Sequence, residues 1–334
     1  MRFLLSILKR IGILLGLFLF LILISGLMIR IFHCPQPSGE LIDVEGYKLH
    51  INSAGEKNSK PTVIIEGGDA TPTDYYYWLS EGLKDSLRVI RYDRAGIGYS
   101  ELKDGSRDMN IRAHELHSLL KKAGESPPYI LVGHSRGGIA IRVFTKLYPN
   151  EVAALVFLDA THPNINERFK AQLGLPDKPN VSWRLQTMEK IADLGVLNLF
   201  DRVFGPMATE EGLPKKLNKH FLDYTANGKY IRGVFQERNC KKTKIDLIEE
   251  ASQLDNLPIR FFTASKRNYN WWCRSVGIEK CQSEWVKLQQ EIAGLYKNSK
   301  HIAIEGDHNT IYTKKENATI ICKEILSISN ELEN

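Results

Sequence analysis

Four strand-like runs constrain the fold of this chain more than any other feature. "PTVIIEGG", "LRVIRY", "YILVGH" and "VAALVFLD" are almost continuously apolar and do not alternate. A strand with one wet face alternates; a strand buried on both faces does not, and such strands belong to parallel sheets sandwiched between helices. The intervening segments supply those helices. Asn110 to Ala123 carries Ile111, Leu116, Leu119 and Leu120 at helical spacing, and Gly138 to Leu147 reads as a helix stopped ahead of Pro149. "LIDVEGYKLHIN" reads as two short strands turning at Glu45-Gly46. The class is therefore α/β: a mostly parallel sheet with helices on both faces.

The alternation lapses between Pro163 and Asn256, where the pattern is helix-like, with an apolar patch at "IADLGVLNLF". It resumes at "LPIRFFTAS", continues through a helical "WVKLQQEIAGLY" and "KHIAIEGDH", and closes on an amphipathic helix. A helical insertion between two strands of one sheet is a cap or lid. This division assigns 40–162 and 257–334 to the core and 163–256 to the cap.

The N-terminus is different in kind. Ile11 to Ile29 is a run of 19 uncharged residues, about enough helix to cross the ~30 Å hydrocarbon layer of a bilayer. A cleaved signal peptide would have a shorter apolar region ending in small residues; here Leu27, Met28 and Ile29 follow Ser25-Gly26, and His33 is too large for a lipoprotein site at Cys34. Residues 1–32 read as an uncleaved anchor and 33–39 as a Pro-containing linker. Arg2, Lys9 and Arg10 precede the span and Arg30 alone follows it closely, so the N-terminus belongs in the cytoplasm and the rest of the protein on the extracytoplasmic side.

The 334 residues carry a net charge of +6 with both signs interspersed, which argues against a nucleic-acid surface. Lys241, Lys242 and Lys244 read as a solvated face, although they could touch an anionic membrane. The five cysteines have no zinc-ligand spacing. Cys273 and Cys281 could pair in an oxidising compartment, and Cys322 sits in a segment with core periodicity.

Within this frame "YILVGHSRGG" puts Ser135 on a strand-to-helix turn. A serine held on such a bend presents its hydroxyl as a nucleophile. Gly133 and Gly137 let neighbouring backbone approach the turn, Gly138 and Ala140 let the helix pack close to the sheet, and the helix N-terminus favours developing negative charge. The hydroxyl needs a base. His308, in a turn after the last strand, is the best candidate; His134 should pack beneath the turn, His162 could line the site, and His301 begins the strand leading to His308.

Taken together, "GHSRGG", "RYDRAGIGYS", "LYPNEVAALVFLDATHP" and the late "GDH" resemble the α/β-hydrolase fold superfamily in its serine-nucleophile, esterase- and lipase-like branch, over about 40–163 and 257–330. The resemblance implies a serine hydrolase acting through an acyl-enzyme, without metal or cofactor, on a small-molecule or lipid-like ester. Haloalkane dehalogenases and epoxide hydrolases share the fold but carry an aspartate where this chain has Ser135. The oxyanion hole should use the backbone N–H of Arg136 and, by position in the loop after "VIIEGG", that of Asp69, where many relatives have a His-Gly pair. Most relatives place the triad acid after the strand that follows the cap, but Ser265, Lys266, Arg267 and Asn268 stand there. Another arrangement in the superfamily places it at the end of the strand before the cap, where this chain has Asp159, on a strand expected next but one to that of the nucleophile. Asp307 is too close to His308 in sequence to reach its ring, and Asp255 precedes the later strand. Asp93 and Arg94 are read as braces of their turn. A non-catalytic, ligand-binding member of the fold, or hydrolysis of an amide, thioester or C–C bond, would be compatible with the same residues.

Overall fold

The computed structural model describes residues 2–33, 35–105, 107–175, 182–206, 209–240, 243–266, 273 and 276–333, with Ser182 as backbone only. The readings made for Cys34, Lys241, Lys242, Arg267 and Asn268 fall outside them.

Eight strands form one sheet: β1 (Glu40–Asp43), β2 (Lys48–Ala54), β3 (Thr62–Glu66), β4 (Val89–Tyr92), β5 (Tyr129–His134), β6 (Val152–Leu158), β7 (Ile259–Ala264) and β8 (Ser299–Ile304). Their order is β1-β2-β4-β3-β5-β6-β7-β8. The β1–β2 hairpin adds to β4 antiparallel, and every other pairing is parallel. One expectation is corrected here: β6 pairs directly with β5 and is not next but one to it. A short helix, Gly137–Leu147, makes the crossover, and a compact right-handed crossover of this kind lands on the neighbouring strand.

The continuously apolar runs follow from this layering. Successive strand residues face opposite sides, and each side has its own core. Ile64, Leu131, Phe157 and Phe261 belong to one cluster with residues of the helices Met109–Lys122 and Gly137–Leu147. Ile65, Val132, Val156 and Phe262 belong to the other, with residues of the helices Tyr77–Leu83 and Lys315–Glu331. The chain runs from β3 to β4 on one side, then crosses back past β3 to β5 and onward. Strand order therefore reverses between β3 and β5, and the carboxyl ends of these strands open the crevice in which sheets of this type bind ligands.

Between β6 and β7 the described elements are helices: Ile165–Leu173, Ser182–Asp193, Val196–Phe204, Asn218–Tyr224, Gly228–Arg238 and Leu247–Gln253. The N-terminal helix, Arg2–Phe32, is exposed along almost its whole length.

Candidate active site

The crevice at the switch point is lined by three tight turns. β5 ends at His134, the following helix starts at Gly137, and Ser135 between them has φ +52°. Among the described residues only four non-glycine residues have positive φ, and Ala70, Ser135 and Asp159 are three of them. Backbone held in this sparsely populated region costs of order 1–3 kcal/mol per residue and clusters at working sites. Glycine is required on both sides of the elbow. A Cβ on Gly68 would lie 2.9 Å from the Ser135 Cβ and 2.7 Å from His134 Nδ1, and one on Gly137 would collide with the Glu66 carbonyl.

The turn after β6 is tied to this elbow, because Thr161 N–H donates to the Ser135 carbonyl at 2.8 Å. Asp159 is fully buried. Its Oδ1 accepts from Ala264 N–H at 3.2 Å and from the Trp285 indole at 2.8 Å, and its Oδ2 lies 2.6 Å from His308 Nδ1. A ring nitrogen facing a carboxylate carries the proton, so His308 Nε2 is left as the acceptor. Asp307 caps the next turn by accepting from Asn309 and Thr310 N–H, and Asp255 pairs with Lys297.

The other histidines are engaged elsewhere. His134 packs behind the elbow: Nδ1 is 3.0 Å from the Tyr76 hydroxyl, Nε2 is 3.1 Å from the His308 carbonyl, and its ring lies 4.5 Å from that of His308. His162 Nδ1 accepts from Asn164 N–H, and burial, helped by Arg142, pushes its pKa down to about 4. His301, on β8, pairs with the hydroxyl of Thr263 on β7. Thus Ser135, Asp159 and His308 share one rim.

Two N–H groups beside Ser135 are uncommitted. Neither Asp69 N–H nor Arg136 N–H has a hydrogen-bond partner among the described residues, whereas Gly68 N–H is spent on the Tyr76 hydroxyl at 3.0 Å. The Asp69 carboxylate is drawn aside by Arg136 at 2.7 Å and Arg112 at 3.5 Å. Beneath this loop lies a charge network that sequence reasoning missed. Glu66 pairs with Arg112. Arg94 bridges the Gly68 carbonyl at 2.6 Å and Glu237 at 2.5 Å. Glu237, on the insertion helix Gly228–Arg238, also accepts Ala70 N–H at 2.8 Å. Asp93 braces its turn by accepting from Thr73 and Tyr99 N–H, and Arg94 does more, holding the loop that carries Asp69 to the insertion. No local signal marks Glu237, one acid among several charges on an ordinary helix.

Among the described residues no three His, Cys, Asp or Glu side chains converge as metal ligands would. A groove of about 730 Å³ lined by Arg142, Lys146, Lys244 and Glu250 lies away from this rim and includes none of the candidate residues. Cys273 and Cys281 share a buried cluster with Phe169 and Trp285 as thiols, not as a disulfide.

Residues 61–219, from β3 into the insertion, match the family model of the alpha/beta hydrolase fold. The chain has the α/β-hydrolase fold. The chain superposes on a thermophilic esterase from Thermogutta terrifontis with TM-score 0.56 at 16% identity, covering 87% of this chain and 100% of that one. A bacterial membrane phospholipase A superposes with TM-score 0.58 at 15% identity over 100% and 99% of the two chains. In sequence the chain is 30% identical over 125 residues to the protein YbdG of Bacillus subtilis, a stretch covering 37% of this chain and 38% of that relative. The chain spans less than half the length of the curated relatives it matches, 46% in the case of YqjL of Bacillus subtilis.

Proposed function

We propose that this chain is a membrane-anchored serine hydrolase that cleaves a carboxylic ester through an acyl-enzyme. The observation that carries the reading is the 2.6 Å contact between His308 and a buried Asp159, on the rim where Ser135 sits at positive φ beside two uncommitted N–H groups. Structural neighbours named as an esterase and a membrane phospholipase A agree with it.

In this reading Ser135 Oγ attacks the ester carbonyl carbon while His308 Nε2 takes its proton. The carbonyl electron pair moves to oxygen, and the N–H groups of Arg136 and Asp69 hold the resulting oxyanion. The bond to the alcohol oxygen breaks as His308 returns the proton to it, leaving an acyl-serine. Water, deprotonated by the same nitrogen, repeats the sequence and frees the acid. Asp159 fixes the tautomer of His308 and stabilises the imidazolium between the two transfers. The helix Arg2–Phe32 spans the membrane, and the basic residues before it keep the N-terminus cytoplasmic and the hydrolase outside. The insertion between β6 and β7 acts as the cap over the site.

The test uses the full chain in membranes, a fluorophosphonate probe and a panel of esters differing in chain length. Ser135→Ala should lose labelling and lower hydrolysis by at least about 10³-fold in a protein that still melts cooperatively. A well-folded Ser135→Ala protein with full activity would overturn the mechanism.

A further inference from the structure

The helix Val196–Phe204 is amphipathic, yet it is mounted the wrong way round for a water-soluble protein. Two of its polar residues, Asn198 and Asp201, are buried, at 7% and 1% exposure, and only the third, Arg202, reaches the surface, while Phe200, Val203 and Phe204 are 48%, 64% and 72% exposed. Asn198 is held inside, donating to the Leu222 carbonyl at 2.9 Å and accepting from Arg202 at 2.8 Å. Phe200 and Phe204 pack against each other on the outer face, their rings tilted by 41° with centroids 4.4 Å apart. An insertion helix in water turns its apolar stripe to the core; this one turns it away. Met188, Ile191 and Leu194 of the preceding segment extend the exposed apolar surface.

The surface continues onto the N-terminal helix, which packs along Val196–Phe204. Gly26 is its buried residue, seated so tightly that a Cβ there would lie 2.8 Å from the Leu194 carbonyl oxygen. Ile22, Leu23, Leu27 and Ile29 are half-covered on the same side. These positions lie inside the uncharged run, whereas Arg30, just beyond it, bonds the Asp193 carbonyl, and His33 pairs with Asp223 at 2.7 Å. At 1.5 Å per residue, Ile22 lies about 12 Å below Arg30 along the helix axis. The inverted helix therefore sits at the depth where headgroups give way to acyl chains, about 5–10 Å into which interfacial helices bury their apolar faces.

Resting on the membrane-anchor reading, we propose that the helix Val196–Phe204 and the end of the helix before it are a lipid-embedded foot of the cap. Its occupant is the acyl-chain layer of the leaflet on the far side from the N-terminus. The polar face turned inward holds the cap, the apolar face turned outward dissolves in lipid, and the anchor fixes the depth. A cap seated in this way gives the hydrolase lipid-borne esters as its substrate class.

The experiment places the full-length chain, one copy per disc, in bilayer nanodiscs and introduces Phe204→Trp. The emission it adds over the parent should be blue-shifted and quenched when the acyl chains are brominated. Added emission typical of water, or emission that is shielded but indifferent to bromine because protein covers it, overturns the foot. In a second arm, Phe200→Ser with Phe204→Ser should lower hydrolysis of a bilayer-borne ester by about tenfold or more and leave a water-soluble ester unchanged. Equal loss on both esters also overturns the foot. If the parent hydrolyses neither ester, the hydrolase reading fails while the quenching result still decides the foot.

Discussion

At the carboxyl rim of the sheet Asp159 is fully buried and its two oxygens meet donors from β7, Trp285 and His308, whereas the insertion buries Asn198 and exposes Phe200 and Phe204. The two regions handle polarity in opposite ways, and in the seating proposed above they face different media. In the proposed reaction charge develops at the rim, so dipoles must be fixed beforehand and every buried polar atom needs a partner. At the outer face of the insertion the proposed partner is lipid, where aromatic side chains would gain by leaving water. Glu237 joins the regions: it sits on an insertion helix, yet its carboxylate holds Ala70 N–H and Arg94 under the loop that carries Asp69, and its carbonyl accepts from Arg136 at 2.7 Å.

The largest effect that would break this contrast lies at the rim. In Asp159→Asn the oxygen of the amide stays at Oδ1, where Ala264 N–H and the Trp285 indole both donate to it. Its NH₂ then faces His308 Nδ1, forces that nitrogen to accept, and leaves the proton on Nε2, where a base needs none. Turnover should fall by roughly 10³–10⁴-fold, with KM little changed. Near-normal turnover in steady-state assays would remove Asp159 from the mechanism.

Next in size is the joint. Glu237→Gln keeps the shape but leaves Arg94 buried without its carboxylate, a change of about 3–5 kcal/mol where such pairs are broken. Thermal melting should drop accordingly, and turnover should fall about tenfold or more through loss of oxyanion stabilisation. A variant with parental melting and turnover would show the joint to be idle. The same residue gives a pH dependence. Burial alone would raise the Glu237 pKa, but the guanidinium groups of Arg94 and Arg112 outweigh it and hold it below its ordinary 4.5. The unfolded chain then binds the proton more tightly, so the stabilisation is complete above pH 4.5 and is lost as pH falls through the lower folded value. Acid titration of melting should show this loss, and Glu237→Gln should abolish it.

The smallest effect reports on the compartment. Burial raises the Cys281 thiol pKa, and a hydrogen bond from Cys273 works the other way. Thiols this close should form a disulfide if the domain lies on an oxidising, extracytoplasmic side. Intact-mass measurement of the protein from membranes should find it two hydrogens lighter before reduction; retained thiols would argue for the opposite orientation.

Much of the rim was legible in the chain because it is local. A fully apolar run followed by Gly-x-Ser-x-Gly defines strand, elbow and helix within ten residues, and the lack of any acid after β7 leaves Asp159 as the group near His308. The hairpin at Glu45-Gly46 and the helix capped by Asp108 are short-range in the same sense. The short helix Tyr77–Leu83, with the four aromatic residues Tyr75 to Trp78 around its start, went unread. It is too brief for a clear period, and packing against Lys315–Glu331 holds it.

By itself, then, the sequence determined which segments must be buried on two sides, where a nucleophile could stand, and that one segment is apolar enough to cross a bilayer. The tertiary structure decided that β6 lies beside β5, that Glu237 reaches the loop at Asp69, and that the helix Val196–Phe204 turns its phenylalanines outward. The reason is physical: periodicity and turn chemistry act over a few residues, but which face of a helix is inside depends on what surrounds the folded chain.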